Sequence, residues 1–200
     1  MTGLTRGQLL DRTARGGAAI ALGSGLLAVT GASPASAAIG PADVPVVTLA
    51  LASELLGIEF ATQTFAAKRF DVAETRELTR ARFNDNQHYD ALAKVLTAAG
   101  LTPGTADDFD FTFPAKGFAT RASAARLGAQ LETTFLGIYL GGVASLQDAG
   151  TRSLFSRLAA SQAQHLGFYS AIAYGKSIGM SFPVPLSVED GSAALDPFIS

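Results

Sequence analysis

The stretch that decides the fold covers residues 77–99, ELTRARFNDNQHYDALAKVLTAA. Steps of three and four residues through it lead to Leu78, Ala81, Asp85, His88, Leu92, Val95 and Ala99. This spacing predicts a helix with one buried face. Asp85 and His88 are three residues apart and therefore neighbours on that face. Because a buried carboxylate is costly unless it is paired, the stretch predicts either a buried hydrogen-bond network or a metal ion.

Composition indicates a single folded domain. The chain has 200 residues, of which 48% are hydrophobic and 16% are charged, enough for a large core. There is no Cys, which excludes a disulfide framework and a thiolate metal site. The 15 basic and 17 acidic residues form no basic cluster, so we do not expect nucleic acid as a partner.

Residues 1–37 have the layout of an export signal. Three arginines precede an uncharged apolar run at 16–31, and a small-x-small sequence follows at 35–37. The run is shorter than the roughly 20 residues that a membrane span needs. We therefore expect cleavage near Ala37, an exported mature chain in the cell envelope or outside the cell, and no stable membrane span. The segment looks like a twin-arginine signal in which Gly7 replaces the second arginine, which leaves folded and threaded export both open.

Four helices are predicted in a bundle domain at 38–180. They cover about residues 46–67, 72–99, 120–146 and 151–174. The short links before the second and fourth helices predict two antiparallel hairpins. The Pro- and Gly-containing connection at 101–117 could reach about 55 Å, which exceeds the roughly 42 Å length of the second helix. It is therefore long enough to run the full length of the bundle.

The tail at 181–200 contains three prolines and cannot be one helix. Four apolar residues in it could pack on the bundle or on a neighbouring molecule: Phe182, Leu186, Leu195 and Phe198. The sequence leaves these two arrangements open.

Each predicted helix carries polar residues in its apolar stripe. They are Glu54 on the first helix, Asp85 and His88 on the second, Glu132 on the third, and Gln162 and His165 on the fourth. In an antiparallel hairpin, residues equidistant from the turn lie at the same height. Glu54 balances Asp85 and His88 about the first turn, and Glu132 balances Gln162 and His165 about the second. Glu59 would be displaced by about 7 Å along the axis, so Glu54 is the better candidate.

This arrangement resembles the ferritin-like superfamily, and in particular the exported ferritin-like domain proteins of bacteria, over residues 46–174. The resemblance implies an all-α fold, a ferritin-like four-helix bundle whose two hairpins are joined by a long crossover. It also implies a centre for two iron or manganese ions. Carried over residue by residue, the implied ligands are Glu54, Asp85, His88, Glu132, Gln162 and His165.

Two implied ligands depart from the family pattern. Asp85 stands in a Glu position and is one methylene shorter, and Gln162 stands in the other Glu position and is neutral. Two divalent ions carry four positive charges, whereas three carboxylates supply three negative ones, and such an imbalance is costly in a core. One ion, two ions or none all stay open.

Two functions follow from this reading. The first is oxidative chemistry by a di-iron or manganese type of oxidoreductase, with Tyr89, Tyr139 and Tyr169 either near the metal or ordinary core residues. The alternative is a metal-free, non-catalytic envelope or stress-related scaffold, whose partner surface could be the Phe-rich crossover or the tail. A homo-oligomer is compatible with either. With only two histidines, both in the core stripes, a Ser-His-Asp hydrolase is not expected.

Overall fold

The computed structural model describes residues 39–199, and within that range the chain is all-helical. Four long helices and one short helix follow in order: α1 (Val44–Ala67), α2 (Val72–Ala98), α3 (Arg121–Ser145), α4 (Ala149–Tyr174) and α5 (Val188–Leu195). The predicted all-α bundle is confirmed. The predicted export signal at 1–37 lies outside the described residues.

Side-chain caps fix where α2 and α4 begin. The Asp71 carboxylate accepts the Glu74 backbone N–H at 2.8 Å, and the Glu74 carboxylate accepts the Asp71 N–H at 3.0 Å. This capping box starts α2 shortly after the end of α1. Asp148 caps α4 in the same way, by accepting the Thr151 N–H at 2.6 Å. Caps so close to the preceding helix ends leave room only for tight hairpins.

Two long-range polar contacts define the topology. Arg121 at the start of α3 donates from Nε to both carboxylate oxygens of Glu74, at 2.9 and 3.0 Å, near the start of α2. Asp43, immediately before α1, accepts the backbone N–H groups of Gln147 and Asp148 at the α3–α4 turn, both at 2.9 Å. Because α2 and α3 begin at the same end of the bundle, the connection between them runs back along its full length.

The crossover covers one side of the bundle. Phe60 of α1 lies with its ring centroid 6.1 Å from that of Phe113 and 5.6 Å from that of Phe118. Four crossover phenylalanines pack against the core: Phe109, Phe111, Phe113 and Phe118. These rings therefore contact their own bundle, which removes them as the main partner surface of the scaffold hypothesis.

The C-terminal segment also packs on its own bundle. The sequence did not predict its helix α5, which is capped by Ser187, whose hydroxyl accepts the Asp190 N–H at 3.0 Å. Leu195 and Phe198 are buried, whereas Phe182 is 89% exposed. The Leu186 N–H donates to the Gly137 carbonyl at 2.8 Å. The prolines break the tail without preventing one short helix between them.

Small residues on α3 make these contacts possible. A Cβ on Gly137 or Gly141 would collide with Leu186, whereas a Cβ on Gly128 or Gly142 would collide with aromatic rings of α4. The glycines therefore allow α3 to pack closely against both the C-terminal segment and α4.

The buried face of α2 follows the predicted stripe except near the end of the helix. Leu96 is buried and Val95 is only half-buried. The predicted stripe alternates steps of three and four residues and so repeats every seven residues. This repeat departs from the 3.6-residue period of a straight helix by about 20° per heptad. Helix α1 is apolar and long enough to cross a membrane, but most of that apolar stretch is buried inside the bundle.

Candidate metal centre

Six polar side chains meet inside the bundle, and they are the six that the sequence singled out. Their residues are at most 9% exposed: Glu54, Asp85, His88, Glu132, Gln162 and His165. Glu59, the rejected alternative on α1, is half-buried and accepts a hydrogen bond from Gln63 at 3.0 Å. The long helices thus bring one polar group or pair each to a common height.

The side of the centre formed by α1 and α2 has the spacing of a metal site. Nδ1 of His88 lies 3.4 Å from Oε2 of Glu54 and 4.0 Å from Oδ1 of Asp85. Ligand atoms of these three residues all lie within 4.8 Å of one another. Two atoms that are each about 2.1 Å from one ion are roughly 3.0 to 4.2 Å apart in tetrahedral and octahedral sites. An ion could contact all three residues after small side-chain adjustments.

The side formed by α3 and α4 is arranged differently. Nδ1 of His165 lies 3.4 Å from Oδ1 of Asp85 and 3.7 Å from Oε1 of Glu132. Its other ring nitrogen, Nε2, faces the amide nitrogen of Asn84 at 3.3 Å. One ring nitrogen of His165 is therefore engaged by Asn84, and the other faces the two carboxylates.

One oxygen of Glu54 is already occupied by donors. The Tyr139 hydroxyl makes a short hydrogen bond to Oε1 of Glu54, and Nε2 of Gln162 donates to the same oxygen at 2.9 Å. Oε2 is left to face His88. Tyr139 and Gln162 therefore fix which oxygen of Glu54 is available to a cation.

Buried polar atoms that lack a hydrogen-bond partner indicate whether the centre fits a cation. Among the described residues, seven buried side-chain nitrogen and oxygen atoms have no hydrogen-bond partner. Six of them belong to the centre: Oε2 of Glu54, Oδ1 of Asp85, Nδ1 of His88, Oε2 of Glu132, Oε1 of Gln162 and Nδ1 of His165. Buried polar groups are normally paired, because an orphaned one costs about 1–3 kcal/mol. A concentration of oxygen and imidazole orphans fits a divalent cation.

The pKa shifts of the buried carboxyl groups also favour a bound cation. Burial raises the pKa of Asp85 well above its ordinary value, and the nearby Glu54 raises it further. Burial followed by Glu54 also raises the pKa of Glu132. Three carboxyl groups in a dry interior resist being charged together, and a bound cation would relieve that repulsion.

The tyrosines separate into different environments. The Tyr139 hydroxyl is bonded to Glu54, and burial raises its pKa well above the usual value, so it stays protonated as a donor. Tyr89 instead donates to the Gly104 carbonyl at 3.1 Å, where it holds the crossover. Tyr169 is buried, and its ring lies against Phe60 and Phe168.

Asn84 is a residue at the centre that the sequence reasoning did not identify. It is half-buried and lies one position from the stripe that contains Asp85. The sequence did contain a signal for Asn84, because it is a polar residue next to the buried stripe, on the side that faces a neighbouring helix.

Comparison with known proteins agrees with the architecture. A family model described as a ferritin-like domain matches residues 42–175. No curated protein matches the chain.

Proposed function

The chain belongs to the ferritin-like domain family, and from that membership and the buried centre we propose that it binds iron(II) or manganese(II) and uses it for oxidative chemistry. The buried group of Glu54, Asp85 and His88 fits a metal-binding scaffold. The concentration of unpaired buried ligand atoms carries this proposal, because a bound cation would satisfy several of them at once.

The donor set suits these two metals, since carboxylate oxygens bind manganese and imidazole nitrogens bind iron. The choice of iron or manganese over zinc rests on membership of the ferritin-like family. When bound, a redox-active iron or manganese ion supplies the electrons for reaction with O₂ or peroxide. The six residues are buried away from bulk solvent, and Tyr139 and Gln162 orient Glu54.

Elemental analysis tests metal binding. The chain is purified with Fe(II) or Mn(II) present, and its metal content is compared with that of a His88→Ala/His165→Ala double variant and of Glu54→Gln. Glu59→Gln is the matched control, because Glu59 lies on the same helix and its carboxylate bonds to Gln63. We expect metal in the wild type and the control and its loss in the other two variants. Equal metal contents in all four proteins would show that the buried centre does not bind the ion and would overturn the proposal.

We further propose that the mature protein is exported, on the basis of the signal-like layout of residues 1–37. Expression of the full chain in a bacterial host, followed by cell fractionation and mass spectrometry, tests this. The expected product begins at Ala38 and lies outside the cytoplasm. A cytoplasmic chain that keeps residues 1–37 would contradict the proposal. Homo-oligomerisation stays a prediction.

A further inference from the structure

The structure carries an inference about stoichiometry, which rests on the proposed metal binding. We propose that the centre holds one divalent ion and not two, that this ion lies on the α1–α2 side against Glu54, Asp85 and His88, and that Gln162 sets the number. Three features of the centre support this stoichiometry: the hydrogen bond of Gln162 to Glu54, the different ligand sets of the two hairpins, and the number of carboxylates.

Gln162 occupies the position of the fourth carboxylate but acts as a donor. Its Nε2 donates to Oε1 of Glu54 at 2.9 Å. This amide nitrogen cannot act as a metal ligand, so the position that would supply two carboxylate oxygens offers one neutral oxygen at most. A neutral amide oxygen, the remaining acceptor of this side chain, binds divalent ions more weakly than a carboxylate does.

The two hairpins do not offer equivalent ligand sets. On the α1–α2 side, an oxygen of Glu54, an oxygen of Asp85 and Nδ1 of His88 converge within 4.8 Å. No other group of three or more such residues converges in this way within residues 39–199. On the α3–α4 side, Nδ1 of His165 lies 3.4 Å from Asp85 and 3.7 Å from Glu132, but these residues do not form such a converging group. The other ring nitrogen of His165 is engaged by Asn84 at 3.3 Å.

Charge explains why a fourth carboxylate matters for a second ion. Glu54, Asp85 and Glu132 supply three negative charges, so one divalent ion leaves a net charge of −1 and two leave +1. Only a fourth carboxylate would make two ions neutral in the buried site. Replacement of Gln162 by Glu supplies the missing carboxylate and removes the donor in a single change, at nearly unchanged volume.

The experiment counts metal ions per chain in the wild type, Gln162→Glu and Gln164→Glu, after loading with Mn(II) and removal of excess metal. Gln164 lies on the same helix but is exposed and donates to the Ala160 carbonyl, so it controls for added charge. We expect one ion in the wild type, two in Gln162→Glu and one in Gln164→Glu. Two ions in the wild type, or one in Gln162→Glu, would overturn the inference while leaving the proposed metal binding intact.

Single histidine variants keep the inference testable if Gln162→Glu does not fold. We expect His165→Ala to retain the single ion and His88→Ala to lose it. Equal loss in both variants would overturn the assignment of the ion to the α1–α2 side. A wild type that binds no ion would instead overturn the proposed function, so the two failures are distinguishable.

Discussion

The hydroxyl of Tyr139 on α3 donates a hydrogen bond to Oε1 of Glu54 on α1, across the middle of the bundle. Both residues are fully buried. This contact joins the two hairpins at the height of the centre and leaves Oε2 of Glu54 facing His88.

Removal of this hydroxyl should weaken metal binding without unfolding the protein. Groups that orient metal ligands typically contribute about 10- to 100-fold to metal affinity. We therefore expect Tyr139→Phe to lower Mn(II) affinity by about that factor, measured by calorimetric titration, with its helical circular dichroism retained. Tyr89→Phe is the matched control, because Tyr89 bonds to the crossover and not to the centre. Equal affinities in the two variants would show that Tyr139 does not position Glu54.

The two hydrogen bonds that Asp43 accepts at the α3–α4 turn should stabilise the protein. The Asp43 carboxylate is 1% exposed and accepts two backbone N–H groups at the α3–α4 turn. Asp43→Asn leaves one of those N–H groups facing an amide that cannot accept, and we expect it to reduce the free energy of unfolding by about 1–3 kcal/mol. Urea denaturation of the mature chain measures this. The exposed Asp90→Asn should change it by no more than about 0.5 kcal/mol.

Gly141 should not tolerate a side chain, although it lies in a helix where Ala is intrinsically preferred by about 1 kcal/mol. A Cβ there would overlap the backbone of Leu186. We expect Gly141→Ala to displace the C-terminal segment, to reduce the free energy of unfolding by about 1–3 kcal/mol, and to speed proteolytic cleavage after residue 180. Gly179→Ala, where a Cβ would have nothing within 4 Å, should do neither. A stabilised Gly141→Ala protein would contradict the observed packing.

The Glu74–Arg121 pair should make stability depend on pH. The hydrogen bond from Arg121 lowers the pKa of Glu74 below its ordinary 4.5. Since the folded-state pKa is the lower one, the stabilisation is fully present above the ordinary value and is lost as the pH falls through the folded-state value. We expect Glu74→Gln to destabilise the protein at neutral pH and to have little effect once the pH is below the lowered folded-state pKa of Glu74.

This substitution isolates the charge, because Gln can replace Glu in a capping box. Thermal unfolding at several pH values measures the effect, and Glu77→Gln in the exposed pair with Arg80 is the control. A destabilisation by Glu74→Gln that is the same at every pH would show that charge is not its cause.

The sequence alone determined the four long helices, their hairpin pairing and the identity of the buried polar residues. These features depend on local rules. The helical period places Asp85 and His88 on the apolar face of α2, and a tight turn fixes the height of Glu54 beside them. The same arithmetic brought Glu132 level with His165.

The tertiary structure decided how those residues are paired. The capture of Oε1 of Glu54 by Tyr139 and Gln162, the contact of Asn84 with His165, and the seat of Leu186 on α3 all join residues far apart in the chain. Each depends on side-chain rotamers and on distances between separate helices. The helical period sets the face on which a residue lies, but it does not determine which atom of a neighbouring helix that residue will meet.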